Sequence, residues 1–349
     1  MDKMIKQCVG IDVSQNEIDV TFGTYSLDQS VEFLVSRKFQ NNESSFPKFL
    51  KWSKKMAERN IPLFFVMEAT GVYHERLACF LYDNQQNVIV VLPTRASNYA
   101  KSLEVKTITD KEASRTLTRM GLEKKMDLWV KPDPLYNHLK QLTREREQLQ
   151  KSKTVCNNQI HAEKKSAWPN DKSIKRVEKR ITVLEKQIIE IEQEIKGAVN
   201  SNEELAKKMN YLISIKGVGL ITAATIVGET NGFMMIKNRR QLMSYAGYDV
   251  IRKDSGTSVH AKPRISKRGN RHIRKAMHFP ALTSIKHSEK NKNHFTRMVQ
   301  KHGIKMKAAV AIQRKLLQLI YTLWKKEEYF DSSYICSNLE KEIGQLALP

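Results

Sequence analysis

Two runs of residues at alternating three- and four-residue intervals tie the middle of this chain to paired helices. Leu135, Leu139, Leu142, Arg146, Leu149, Lys153, Cys156 and Ile160 form the first run, with Arg146 and Lys153 interrupting its apolar character. Val177, Ile181, Leu184, Ile188, Ile191 and Ile195 form the second, with no interruption. A stripe returning every 3.5 residues stays on one side of a helix and needs a partner to bury it. Trp168-Pro169-Asn170-Asp171 separates the two arms. The pattern predicts an antiparallel coiled-coil hairpin over 130–200, packed on itself or on another copy; two ordinary surface helices are the plainer alternative.

The first 125 residues have a different rhythm. Cys8-Val9-Gly10-Ile11-Asp12-Val13 is a short apolar run carrying an acid near its end. Ile18–Phe22 and Val31–Val35 alternate with period two, as half-buried strands do. A helix is expected over 42–59, with Phe46, Phe49, Leu50 and Trp52 available for one face. Pro62–Met67 reads as a buried strand followed by Glu68, and Asn87–Leu92 as another, with a helix between them at 73–83. Two further helices are expected near 95–103 and 109–121. Three strands followed by helix–strand repeats is the order of an α/β RNase H-like sheet, although many α/β domains share it.

Beyond a polar joint at Asn200-Ser201-Asn202, helices dominate to about Trp324, with Gly-rich loops at 246–258 and 267–270. Leu212–Ala224 contains Gly217-Val218-Gly219 and has the form of a helix-hairpin-helix turn. Such a turn points helix N-terminal amides at a phosphate, and Gly-x-Gly before a helix also occurs as plain packing.

Charge narrows the function. The chain has 60 Lys and Arg against 37 Asp and Glu, a net charge of +23. Residues 1–125 hold 18 basic and 15 acidic residues, whereas 250–315 hold 18 basic residues and only Asp254 and Glu289 as acids. A basic excess concentrated in this way points to nucleic acid. No apolar run reaches the roughly 18 residues of a spanning helix, and the N-terminal residues lack an apolar export signal. Cys8, Cys79, Cys156 and Cys336 are too scattered for a zinc knuckle or a disulfide framework. A cytoplasmic, nucleoid-associated bacterial protein is the expectation.

Asp12 and Glu68 each stand at the C-terminal end of an apolar strand, the edge where open α/β sheets build sites. Asp110 opens a helix. Taken singly, each acid is as well explained by surface exposure or by capping. Together they form the oxygen-rich set that Mg²⁺ takes. Ser255-Gly256 is a turn signal, and from the residues alone Ser258 serves as a nucleophile as well as Ser255. Arg252, Lys253, Arg264, Lys267, Arg268, Arg271, Arg274 and Lys275 are candidates for phosphate contact, and so is His260, whose other reading is a proton shuttle.

These segments, with Glu68-Ala69-Thr70-Gly71, Thr109-Asp110-Lys111, Tyr245-Ala246-Gly247, Asp254–Ser258 and Arg264–Asn270, resemble the insertion-sequence one-ten transposase family along nearly the whole chain. That family includes pilin-gene invertases and bridge-RNA-guided recombinases. The resemblance implies a RuvC-like DEDD domain at 1–125, the hairpin at 130–200, a mainly α serine transposase domain at 205–330 and a tail at 331–349. It implies that Asp12, Glu68 and Asp110 hold Mg²⁺ and that Ser255 is the nucleophile. The family carries a fourth acid three residues after the third, and here that position is Ala113. Glu112 is one residue off register, about 100° around a helix, and a poor substitute.

What the resemblance implies is RNA-guided DNA recombination through a covalent phosphoserine intermediate. The expected partners are donor and target DNA, a structured noncoding guide RNA and further copies of this chain, as a dimer or tetramer with a composite site across protomers. The rivals are a junction nuclease of RNase H-like type, which uses the acids alone, and a nucleic-acid-binding scaffold, which the missing fourth acid favours.

Overall fold

The computed structural model describes residues 3–104, 109–251, 254–255, 259–260 and 264–331. The backbone alone is described for 254–255 and 259–260. The chain forms two compact units, one from Met1 to Lys131 and one from Pro132 onward.

The first unit is a five-stranded sheet with helices on both faces. Its elements run β1 (Met4–Val13), β2 (Glu17–Ser26), β3 (Val31–Gln40), α1 (Phe46–Met56), β4 (Leu63–Glu68), α2 (Glu75–Asp83), β5 (Asn87–Val91), α3 (Pro93–Ser102) and α4 (Asp110–Glu123). Strand order is β3-β2-β1-β4-β5, with β1–β2 and β2–β3 antiparallel and β1–β4 and β4–β5 parallel. The period of two in β1 sorts its side chains. Val9, Ile11 and Val13 join Phe46, Phe49, Leu77 and Leu81 in a core under α1 and α2. Cys8 faces the other way and packs with Val66, Leu117, Met120 and Leu122 under α3 and α4. Full burial of each large apolar side chain here contributes about 1.5–3 kcal/mol.

Gly10 sets how closely α4 lies on the sheet. A Cβ there would meet the Thr118 amide nitrogen and the Ser114 carbonyl oxygen. The Gly10 amide instead donates to Thr118 Oγ1 at 3.1 Å. Thr118 Oγ1 also donates to the Thr21 carbonyl at 2.9 Å, and the Thr21 and Ser114 hydroxyls lie 2.8 Å apart. One turn further on, Gly121 of α4 has no Cβ to clash with Cys8. Small residues on both partners let helix and strand backbones touch, with the Gly10 amide and the Thr21, Ser114 and Thr118 hydroxyls all hydrogen-bonded at the contact.

The second unit is mainly helical: α5 (Pro134–Lys164), α6 (Asp171–Asn200), α7 (Glu203–Ile213), α8 (Leu220–Glu229) and α9 (Arg239–Ala246), then α10 (Arg271–Ala276), α11 (His278–His287), α12 (Glu289–His302) and α13 (Lys305–Lys326). α5 and α6 pack on each other as a hairpin. The two cations that break the apolar run of α5 reach across it: Arg146 bonds Glu192 at 2.6 Å and Lys153 bonds Glu185 at 2.8 Å. Leu139, Leu142, Ile191 and Ile195, near the base of the hairpin, belong to the same core as α7–α9, α11 and α13.

The stretch expected as a Gly-rich loop at 246–258 differs. It carries two short antiparallel pairs, β6 (Val250–Ile251) with β9 (Arg264–Ile265), and β7 (Asp254–Ser255) with β8 (Val259–His260). Val250, Ile251, Val259 and Ile265 are the β-branched residues that favour pairing, and the density of glycine and charge hides them. Among the described residues, no helix is long and apolar enough to cross a membrane.

Candidate active site

Because β1 and β4 are parallel with Ile11 beside Met67, Asp12 and Glu68 emerge together at one sheet edge. Period two puts Asp12 on the same face as Cys8 and Gly10, the face that α4 covers. Asp110 is the first residue of α4, whose N-cap Thr109 accepts a hydrogen bond from the Glu112 amide at 3.2 Å. Three separate elements therefore direct carboxylates to one region. Burial, then the Asp110, Glu68 and Asp19 carboxylates, push the Asp12 carboxyl up to about 6, against a lowering hydrogen bond from the Val13 backbone. Burial also raises Glu68.

Asp19 is the residue that sequence reasoning missed. It sits directly opposite Asp12 in the β1–β2 ladder and pairs with Lys38 of β3 at 3.1 Å. The signal was available: Ser14 to Glu17 closes a turn, and Asp12 and Asp19 lie equally far from it. Ala113 follows Asp110 by three residues on α4 and brings no oxygen to the site. Glu112 is occupied by Arg115 at 2.8 Å, in keeping with its poor register.

Among the described residues, no three His, Cys, Asp or Glu stand close enough together to hold a metal ion. The donor chemistry nevertheless fits a hard divalent cation. The acids offer oxygen only, and their mutual repulsion at Asp12 is what a cation relieves.

In the second unit Ser255 ends β7, opposite Val259. Its side chain, and those of Asp254 and His260, lie outside the described residues, as do Arg252, Lys253 and Ser258. The segment that follows is held firmly. Gly269 lies against the backbone of Tyr245–Gly247, where a Cβ would come within 2.5 Å of the Gly247 nitrogen and the Tyr245 carbonyl oxygen. The Asn270 amide donates to the Tyr245 carbonyl at 2.7 Å, and the Lys267 amide to the Gly247 carbonyl at 3.1 Å. The Tyr-Ala-Gly and Arg-Gly-Asn motifs are thus two halves of one fastener.

A buried ion pair locks it. Glu229, at the end of α8, is 3% exposed. It accepts from Arg144 at 2.6 and 2.9 Å and from the Asn270 side chain at 2.6 Å. Burial pushes the Glu229 carboxyl up, but the Arg144 and Asn270 hydrogen bonds outweigh it and leave the group below the usual range. Asn270 also caps α10 through the His272 and Ile273 amides. Arg274 donates to the Ala246 and Gly269 carbonyls, and Lys275 pairs with Glu147 at 3.1 Å. Of the basic candidates on this segment, Arg264, Lys267, Arg268, Arg271 and Lys275 are exposed, Lys275 being also paired with Glu147, whereas the half-buried Arg274 binds the chain itself.

Residues 209–296 match the transposase IS116/IS110/IS902 family, and residues 9–169 match an IS110 transposase domain of the DEDD type. The chain is 30% identical over 335 residues to the pilin gene-inverting protein of Moraxella lacunata, covering 94% of this chain and 98% of that one. It belongs to the IS110 transposase family. The Moraxella bovis pilin gene-inverting protein is 29% identical over 332 residues, with 94% and 98% covered. The transposase for insertion sequence element IS1111A of Coxiella burnetii is 26% identical over 143 residues, covering 40% of this chain and 38% of that one. This IS110-family chain is therefore a DNA transposase or recombinase, and its DEDD-type domain implies a divalent metal cation.

Proposed function

We propose that this transposase exchanges DNA strands through a phosphoserine intermediate at Ser255, with Asp12, Glu68 and Asp110 of an RNase H-like, RuvC-like sheet holding Mg²⁺. The observation that carries the proposal is the gathering of Asp12, Glu68 and Asp110 at one sheet edge, where burial and then the neighbouring carboxylates raise the Asp12 carboxyl to about 6, in a chain of net charge +23. When bound, the cation polarises the scissile phosphate and stabilises the leaving oxygen.

The Ser255 Oγ attacks a backbone phosphorus. An Oγ–P bond forms as the P–O3′ bond breaks, the hydroxyl proton leaves to solvent, and the 3′ oxygen takes up a proton. Attack by the 3′ hydroxyl of the incoming strand reverses these steps and restores the serine. Lys267, Arg268 and Arg271 neutralise the phosphoryl oxygens. A structured noncoding RNA pairs with donor and target DNA and chooses the sequence. The acting unit is a dimer or tetramer, with α5 and α6 as an associating coiled coil.

Ala113 at the fourth-acid position favours a second reading, a nucleic-acid scaffold of impaired catalysis. Incubation with DNA and guide RNA followed by a denaturing gel separates the cases. A protein–DNA adduct supports the recombinase. Free ends without an adduct indicate a nuclease, and intact DNA indicates the scaffold.

A further inference from the structure

We propose that the exposed face shared by α12 and α13 is a seat for the phosphate backbone of duplex DNA, gripped by Lys290, His294, Arg297 and Lys315. From Lys290 to Lys326 the chain carries ten Lys or Arg and no Asp or Glu. No residue of α12 is buried, although the helix packs on α11 and α13, so its basic side chains are offered outward. Arg297 Nη2 lies 3.2 Å from His294 Nδ1. None of the four residues has a carboxylate partner among the described residues.

The crowding is felt within the cluster. Desolvation, then Lys290 and Arg297, hold the Lys315 ammonium below the ordinary lysine range. Desolvation, then Lys315 and Arg297, do the same for His294. Cations pressed together across two helices, with Glu289 at the start of α12 as the one acid of the pair and paired with none of the four, raise the energy of the free protein, and an external polyanion lowers it by replacing that repulsion with attraction. A merely solvated face spreads its charges apart. α12, 14 residues long, spans about 21 Å, enough to follow several phosphates of a duplex. The contact is to backbone and carries no sequence preference of its own. It is separate from the exposed cations at 264–271 assigned above to phosphoryl oxygens.

The inference rests on reading the second unit as one that engages DNA. The full-length chain and a Lys290→Gln/Arg297→Gln/Lys315→Gln variant are compared for affinity to a short duplex of arbitrary sequence over a salt series. The slope of log affinity against log salt is expected to flatten by up to about 2.7, three phosphates' worth. The single Arg297→Gln change should flatten it by about 0.9. Lys48→Gln/Lys51→Gln/Lys54→Gln, on α1, should leave the slope at the wild-type value. Equal slopes for wild type and the α12–α13 variants overturn the seat while leaving the proposed function intact. A loss confined to single-stranded RNA also overturns it. A wild-type chain with no salt-dependent duplex binding sinks both readings.

Discussion

In the proposed reaction the Ser255 hydroxyl is itself the reagent, so Ser255→Ala should abolish the covalent adduct and spare nucleic-acid binding, read by denaturing gel and by electrophoretic mobility shift. Adduct loss in Ser258→Ala with Ser255→Ala unaffected moves the nucleophile to Ser258. Ala113 matters for the opposite reason, an absent group. Residues 110 and 113 share a face of α4, about 5–6 Å apart at Cβ, so Ala113→Asp adds a second carboxylate beside Asp110 for the proposed cation. Strand exchange in Mg²⁺ should rise sharply. Equal rates for the two forms show the fourth acid to be dispensable. Glu229 is a stability residue with a site-facing consequence. Glu229→Gln removes the carboxylate from the half-exposed Arg144 and should cost about 1.5 kcal/mol, measured by urea unfolding.

At the scale of elements, contact between α4 and β1 is what carries Asp110 to the edge where Asp12 emerges. Gly10→Val would force the Thr118 amide and Ser114 carbonyl away. We expect a chain that still binds nucleic acid and has lost strand exchange, with a lowered thermal midpoint; a midpoint and an exchange rate equal to wild type would falsify this account of the glycine. The hairpin offers a second element-level test. Ile188 is buried between α5 and α6, and Ile181 is half-buried on the same stripe. Ile181→Asp with Ile188→Asp should disfavour association of protomers in sedimentation runs. An unchanged dimer shows that the stripe packs within its own chain alone. The interruptions at Arg146 and Lys153 lose their oddity once Glu192 and Glu185 stand opposite them, as charge pairs flanking an apolar seam do.

Over the whole molecule, charge decides how the chain answers to pH and salt. Glu229 titrates below its ordinary value in the folded state, so its stabilisation is present above the unfolded carboxylate value of about 4.3 and is lost as pH falls through the folded value. The stability gap between wild type and Glu229→Gln should therefore narrow as urea midpoints are followed from pH 7 downward, and a constant gap removes the ionised carboxylate as the cause. Paired Lys267→Ala and Arg268→Ala changes should weaken duplex binding and flatten its salt slope by about two phosphates' worth. The order of elements in the first unit, the helical arms and the basic C-terminal half follow from local periodicity and composition, which the sequence states residue by residue. Asp12 and Glu68 were legible for the same reason, since each ends an apolar strand. Asp19, the Arg144–Glu229–Asn270 lock, the turning of Arg274 onto backbone carbonyls and the pairing of Lys275 with Glu147 were not. These depend on register and on contacts between residues tens of positions apart, where one approach of backbones at Gly10 or Gly269 decides which charges meet. Spacing along a sequence holds no record of that approach; only packing in three dimensions sets it.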